Sequence, residues 1–512
     1  MRSQTADLVG QHFIVDFSAP EVTPDLERLV REGRIGGVIL FAKNIRSAAQ
    51  VRTLTADLQR LAADAGLPPL FVTVDQEGGV VARLHEGFTV FPGAMALGAT
   101  GRPEDAATAG RVTAQELRAL GINVNHAPVL DVNTNPANPI IGPRAFGDDP
   151  HDVARFGIAY LRALQAAGVL ATVKHFPGHG DTVLDSHLDL PTVGKDLRRL
   201  REEELYPFRE AVRAGADGLL SAHIVYPALD ASRPATLSPR VMRDLLRGEL
   251  GFEGVVMTDS MAMKAIADRW SRGAAAVEAL RAGCDLILAC GSREEQWASI
   301  EAARQAVADG RLDAGMIEQS GARIAGIKAR YARPSSGDGG ATGTAWPLAQ
   351  AIADRAVTLV RNDAGRIPLG SGRVAVIAVG DRTWEDRFPT LGEELARAGP
   401  GVVVVTSLDE VLNGTWDTVV AASLTLRAAE GVEAVRALHR HLGDRLVVVG
   451  IGSPYELLRF PEVSTYLAAY GPDPASVRAA AKALTGALTP SGRLPVALPG
   501  LHPRGWGVSA RG

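Results

Sequence analysis

Residues 171–187 read ATVKHFPGHGDTVLDSH. The first part, ATVKHF (171–176), is a continuous β-branched and apolar run, as expected of a strand buried on both faces. It ends on Lys174 and His175. A Gly- and Pro-broken stretch follows, carrying His179, Asp181, Asp185 and His187. A buried strand that delivers charged groups at its C-terminal end and passes into a polar loop reads as one strand of a parallel barrel opening onto a site. The pattern should then recur along the chain.

It does recur. Runs of the same kind are HFIVDF (12–17), GGVILF (36–41), LFVTVD (70–75), NVNHAPVLDV (123–132), GLLSAHIV (218–225), GVVMTD (254–259) and CDLILA (284–289), making eight with the first. Between many of them lie stretches of helical period closed by Gly, such as VARFGIAYLRALQAAG (153–168) and LREEELYPFREAVRAG (200–215). Eight strands with helices between them predict a (β/α)8 barrel, with a doubly wound open sheet as the rival. RPSSGDGGATGTAW (333–346) is rich in Gly, Ser, Pro and Thr and reads as a linker. Beyond it come VTLVRN, RVAVIAVG, VVVVTS, DTVVAAS, RLVVVGIG and STYLAAYG, about six strands. That is too few for a second barrel and fits an open α/β sandwich. The expected organisation is a catalytic domain over 1–332, a linker over 333–346 and a second domain over 347–512.

The bulk numbers narrow the function. A net charge of -4 favours neither nucleic acid nor an acidic membrane face as the main partner. Cys284 and Cys290 share the apolar run CDLILAC and are expected to be small buried hydrophobes without a disulfide. The N-terminal MRSQTADLVGQHFIVDF lacks a charged region followed by an apolar run, and no stretch of membrane-spanning length occurs. The expected location is the cytoplasm.

In a barrel, the ends of the strands supply the chemistry. Strand three presents Asp75, strand four Asp131, strand five Lys174 and His175, and strand seven Asp259, while strand six carries His223. Asp131 and His223 read more readily as structural groups. A metal site is disfavoured: the histidines at 175, 179 and 187 match no usual zinc spacing, and Lys174 beside them would repel a cation. A phosphate cradle is disfavoured too, because GHG is short and no GK[ST] follows. Acid/base chemistry remains. Glycoside cleavage needs a nucleophile or base on one side of the sugar and a proton donor on the other. Asp259 is a candidate for the first. Asp185, two residues before His187, could fix the imidazole tautomer and leave the other ring nitrogen to exchange a proton.

Read together, VDQEGGVVARL (74–84), NVNHAPVLDVNTNPANPIIGPRAFG (123–147), KHFPGHGDTVLDSH (174–187), AHIVYPALD (222–230) and GFEGVVMTDSMAMKAI (251–266) closely resemble the β-N-acetylglucosaminidases of glycoside hydrolase family 3 in their two-domain form. The likeness spans roughly residues 8 to 330, and TPSGRLPVALP (489–499) resembles the end of a family 3 C-terminal domain. The resemblance implies Asp259 as nucleophile, His187 as general acid/base and Asp185 as its orienting partner. It implies Asp75, Arg83, Arg144, Lys174 and His175 as the side chains that hold the N-acetylglucosamine (GlcNAc). It implies no metal or cofactor. The sequence departs from the family pattern at Ser260, where relatives often carry a second acid, at Val80, where they often carry Arg, and at His126, where an aromatic is more usual.

The expected activity is retaining exo-hydrolysis of terminal GlcNAc from peptidoglycan fragments (muropeptides) or chitooligosaccharides. One alternative is phosphorolysis, since an imidazole does not repel an entering phosphate. Another is a glucosidase whose acid comes from the second domain, with Glu430 and Glu433 as candidates. A third is a non-catalytic sugar-binding protein, which would be expected to lack Asp259 or His187.

Overall fold

The computed structural model describes residues 8–333, 340–380, 390–398, 401–424 and 429–508. Eight strands form the first sheet: β1 (Phe13–Val15), β2 (Gly37–Leu40), β3 (Phe71–Val74), β4 (Val124–Asn125), β5 (Leu170–Phe176), β6 (Gly218–Ser221), β7 (Val255–Thr258) and β8 (Ile287–Ala289). Each pairs in parallel with its neighbours, in the order β8-β1-β2-β3-β4-β5-β6-β7. A parallel bridge between Met257 and Leu286 and the bond from Thr258 N–H to Leu286 O (2.9 Å) join β7 to the last strand. The sheet is therefore a barrel and not an open one. Every residue of these strands is buried, which is why they read as unbroken apolar runs rather than alternating ones.

Two local readings are corrected. β4 is only two residues long, because the chain leaves the ladder after Asn125 and rejoins it only at Val129, which bridges to Lys174. The helical stretch after residue 196 is two helices, Leu197–Glu202 and Leu205–Arg213. The break falls where Glu203 and Glu204 turn their carboxylates onto Lys195. The helix over 153–168 forms as read, as Pro150–Ala166. Asp149 caps it, accepting the N–H groups of His151 and Asp152, and Gly168 follows at φ 84°.

The second sheet has six strands: β9 (Thr358–Asn362), β10 (Val374–Gly380), β11 (Val402–Val404), β12 (Thr418–Leu424), β13 (Leu446–Gly450) and β14 (Thr465–Ala468). Their order is β9-β14-β13-β12-β10-β11, parallel except for β9, which runs antiparallel along one edge. This is an open α/β layer. Of the linker stretch, residues 334–339 lie outside the described residues. The rest is tied to the barrel by Gly343 N–H on Glu116 (3.0 Å) and Ala345 N–H on Thr89 Oγ1 (3.1 Å), and a helix begins at Trp346.

The two layers are fastened together. Arg355 grips Asp105 through two bonds (3.1 and 2.6 Å), Ala497 N–H donates to Asp148 (2.7 Å), and Tyr455 Oη donates to Asn133 O (3.0 Å). Asn133 belongs to the loop after β4, so the second layer braces a wall of the barrel mouth. Cys284 and Cys290 are buried and unpaired. No helix among the described residues is long and apolar enough to cross a membrane.

Candidate active site

A pocket of about 780 Å³ opens at the C-terminal ends of the barrel strands. Asp75, Arg83, Arg144, Lys174, His175, His187 and Asp259 all line it, although they span 185 positions of the chain (259 − 75 + 1). Leu424 and Pro472 of the second layer complete its wall.

The turn after β3 carries Asp75 and Glu77. Gly78 and Gly79 turn it with φ of 91° and 55°, and a Cβ on Gly79 would lie 2.8 Å from Gly93 Cα, so only glycine fits. Lys174 Nζ donates to Asp75 Oδ1 at 2.8 Å and pairs with Glu77 Oε1 at 2.6 Å. Arg144 clasps both oxygens of Glu77 at 2.9 and 2.8 Å. Burial alone would raise these carboxyls. Lys174, with help from His126 and Arg83, outweighs it at Asp75, and Arg144 with Lys174 outweigh it at Glu77, which is held at about 2. The same pairing outweighs burial for the cations and raises Lys174 and Arg144 above their ordinary values. The corner of the pocket is thus two acids and two bases, all charged.

Arg144 reaches this place because asparagines fold the NTNPANPIIGPR loop. Asn138 Oδ1 accepts the Ile140 and Ile141 N–H groups (2.9 and 2.8 Å), Asn138 Nδ2 donates to His179 O (2.8 Å), and Asn133 Oδ1 accepts Gly142 N–H (3.2 Å). Arg83 lies across Phe41, with its guanidinium carbon 6.0 Å from the ring centre, and its buried Nε has no hydrogen-bond partner among the described residues.

Asp131 does not face the pocket mouth. It is fully buried and accepts His175 Nδ1–H (2.6 Å), His175 N–H (3.1 Å) and His179 N–H (2.7 Å). His175 Nε2 is thereby left as an acceptor, 3.4 Å from Arg144 Nη2. Asp131→Ala would strand those donors in the interior. We predict a loss of about 3 kcal/mol of stability, read as an earlier denaturant midpoint. An unchanged midpoint would contradict this role.

The loop after β5 holds the dyad. His187 Nδ1 lies 2.7 Å from Asp185 Oδ1, which also accepts His187 N–H (2.9 Å). The Asp185 carboxyl is buried, while the imidazole side chain is 58% exposed. The hydrogen bond that His187 gives to Asp185 is the main influence, and it raises His187 against the opposing effect of burial. Gly180 lets the loop lie on the β4 side, since a Cβ there would fall 1.7 Å from Val132 O. His179 is no ligand. Its ring lies between Thr182 Oγ1 (2.8 Å) and Ser186 Oγ (3.1 Å), and burial lowers it to about 4, so it is a neutral clasp. His179→Ala is expected to loosen residues 182–188 and lower turnover by roughly 10²-fold, with faster proteolytic cleavage in the loop as the independent check. Val183, Leu184 and Leu188 are exposed beside the dyad.

Asp259 follows β7, with Ser260 N–H donating to its Oδ1 (2.7 Å). Burial opposes its charge, but His175, His223, that N–H and His187 outweigh it, and the carboxyl titrates below its ordinary range. His223 is buried and bonds Thr236 Oγ1 (2.9 Å) and Ser260 O (3.1 Å), so it supports the Asp259 turn from behind. His126 lies between the hydroxyls of Thr172 (2.9 Å) and Thr73 (3.0 Å), lowered by burial to about 4. Glu430 and Glu433 are exposed on the helix Ala429–Leu442, where Glu433 pairs with Arg436 (2.8 Å). Residues 426–428 of LRAAEGVEAV lie outside the described residues. The sequence reading missed Glu77, although it stands two residues after Asp75 within VDQEGG.

A pocket with one supported carboxylate and one carboxylate-held imidazole suits displacement at a sugar carbon with proton transfer to the departing oxygen. Residues 6–327 match the glycosyl hydrolase family 3 N terminal domain. The chain is 38% identical over 411 residues to beta-hexosaminidase A of Pseudoalteromonas piscicida, covering 71% of this chain and 68% of that protein. It is 40% identical over 267 residues to a beta-hexosaminidase of Xylella fastidiosa, covering 51% and 78%. The structure of a family 3 β-N-acetylglucosaminidase from Paenibacillus sp. superposes with a TM-score of 0.91 at 40% identity, covering 96% of this chain and 98% of that one. A β-glucoside phosphorylase shares the fold at 23% identity, with a TM-score of 0.83 and coverage of 97% and 96%. With its family match running the length of the barrel and the charged pocket at the barrel mouth, this chain is a glycoside hydrolase and belongs to glycosyl hydrolase family 3.

Proposed function

We propose that the enzyme is a retaining exo-β-N-acetylglucosaminidase that removes terminal GlcNAc from peptidoglycan fragments or chitooligosaccharides in the cytoplasm. The observation that carries the reading is the half-exposed His187 held at Nδ1 by Asp185, in a pocket shared with Asp259. Asp259 attacks the anomeric carbon as the glycosidic C–O bond breaks. His187 gives its Nε2 proton to the leaving oxygen and, now neutral, takes a proton from the water that releases the sugar. Asp75, Lys174, Arg144, His175 and Arg83 hold the GlcNAc. The names of the relatives in Pseudoalteromonas and Paenibacillus support the hexosamine. The exposed Val183, Leu184 and Leu188 border the side where the leaving group departs.

The test is release of 4-nitrophenol from its β-GlcNAc glycoside, with and without inorganic phosphate. Phosphate-independent release with free GlcNAc as product is expected. Phosphate acceleration with GlcNAc-1-phosphate would keep the residues in their roles and make the reaction phosphorolysis. Tight GlcNAc binding without turnover would leave a binding protein. Cell fractionation that places the enzyme outside the cytoplasm would overturn the assigned location.

A further inference from the structure

We propose that Glu77 is the positioning residue of the sugar subsite, the one carboxylate that sets the places of both Arg144 and Lys174. The inference rests on the GlcNAc reading above for its kinetic consequences, but not for its geometry.

Glu77 receives three charge-assisted contacts from two elements that meet only in the folded barrel. Arg144 arrives from the loop after β4, with Nε on Oε2 (2.9 Å) and Nη2 on Oε1 (2.8 Å). Lys174 arrives from the end of β5, 2.6 Å from Oε1. Lys174 gives another proton to Asp75 (2.8 Å), and Arg144 gives one to Ile140 O (3.3 Å) and faces His175 Nε2 (3.4 Å). Of three ammonium protons and five guanidinium protons, the described residues leave one of each without a partner. Glu77 takes up three of the six partnered protons, Asp75, Ile140 O and His175 taking one each, and as the one acceptor shared by both cations it fixes the direction of those two, which suits neutral hydroxyl and amide oxygens. It also cancels a charge. With Asp75, Glu77, Arg144 and Lys174 the corner is neutral, and without Glu77 two cations face each other across one acid.

The carboxylate is not needed to shape its own turn. Glu77 N–H bonds to Val81 O (2.9 Å), and Gly78 and Gly79 supply the positive φ angles. A change at the side chain therefore reaches the subsite before it reaches the fold.

The experiment compares wild type, Glu77→Gln and Glu77→Ala on 4-nitrophenyl β-GlcNAc, with rates normalised to folded enzyme, and adds formate as a stand-in carboxylate. Glu77→Gln should lower kcat/KM by roughly 10²-fold with the pH limbs unmoved, because those belong to Asp259 and His187. Formate should restore Glu77→Ala saturably by about 10-fold or more and leave wild type unchanged, and Glu77→Gln should gain inhibition by inorganic phosphate from its uncompensated cation. A Glu77→Gln rate within about 3-fold of wild type would overturn the proposal. So would a loss that follows the thermal midpoint and ignores formate. An inert wild type would sink the GlcNAc reading instead. The crystal structure of Glu77→Gln then decides the inference: displaced Arg144 and Lys174 side chains support it, and unmoved ones refute it.

Discussion

Asp259→Ala is expected to lower kcat on 4-nitrophenyl β-GlcNAc by roughly 10⁴-fold or more, with a fold indistinguishable from wild type by circular dichroism. The size follows from the site. Around it, His175 and His187 in the pocket, His223 behind the turn and the Ser260 N–H all act to keep this carboxyl ionised against its burial. Those groups surround an anion, and alanine leaves them without one. Glu77 and Asp75 cannot substitute, because each is already bound to Lys174 or Arg144. Stability need not fall with activity, since Asp259 is only partly buried and its removal leaves no buried carboxylate unpaired. Activity within about 10-fold of wild type would place the nucleophile elsewhere.

His187→Ala is expected to show a loss that depends on the leaving group. A positioned general acid contributes roughly 10²–10⁴-fold, and most where the departing oxygen is basic. An alkyl or sugar leaving group should suffer most, and 4-nitrophenol, which leaves readily without a proton, least in the first step. The pH profile follows from the direction of each shift. His187 must be protonated to act as acid, and Asp185 holds its pKa above the free value, so the basic limb of kcat/KM lies above that of an ordinary imidazole. Asp259 must be ionised, and its lowered pKa sets the acid limb below the ordinary carboxylate range. Asp185→Asn removes the largest influence on His187 and should move the basic limb toward lower pH while leaving the acid limb in place. A basic limb that does not move would detach Asp185 from the proton transfer.

Much of this was readable before folding. A strand buried on both faces leaves an unbroken apolar run, so β5 in ATVKHF and β7 in GVVMTD announced themselves. The barrel rule then placed Lys174, His175 and Asp259 at one mouth. The dyad was legible because Asp185 and His187 are only two residues apart. Glu77 was not, because its partners stand 67 and 97 residues away (144 − 77 and 174 − 77) and such pairing leaves no periodic trace. Arg144 read as a sugar ligand, and the structure adds its clasp on Glu77, which the sequence did not show for the same reason. His179 read as a weak metal candidate, and Thr182 and Ser186, at plus three and plus seven, were the available signal for a hydroxyl clasp. Leu424 and Pro472 reach the pocket only through the docking of the second layer, which no local pattern encodes.

The covalent intermediate is the most direct point of attack. His187→Ala mixed with 4-nitrophenyl β-GlcNAc should form the glycosyl-enzyme readily and hydrolyse it slowly, since the water has lost its base. Acid quenching during turnover and mass spectrometry of the peptides should find one GlcNAc residue on the peptide containing Asp259. Unmodified Asp259 throughout turnover, with α-GlcNAc as the first-formed anomer, would contradict the account.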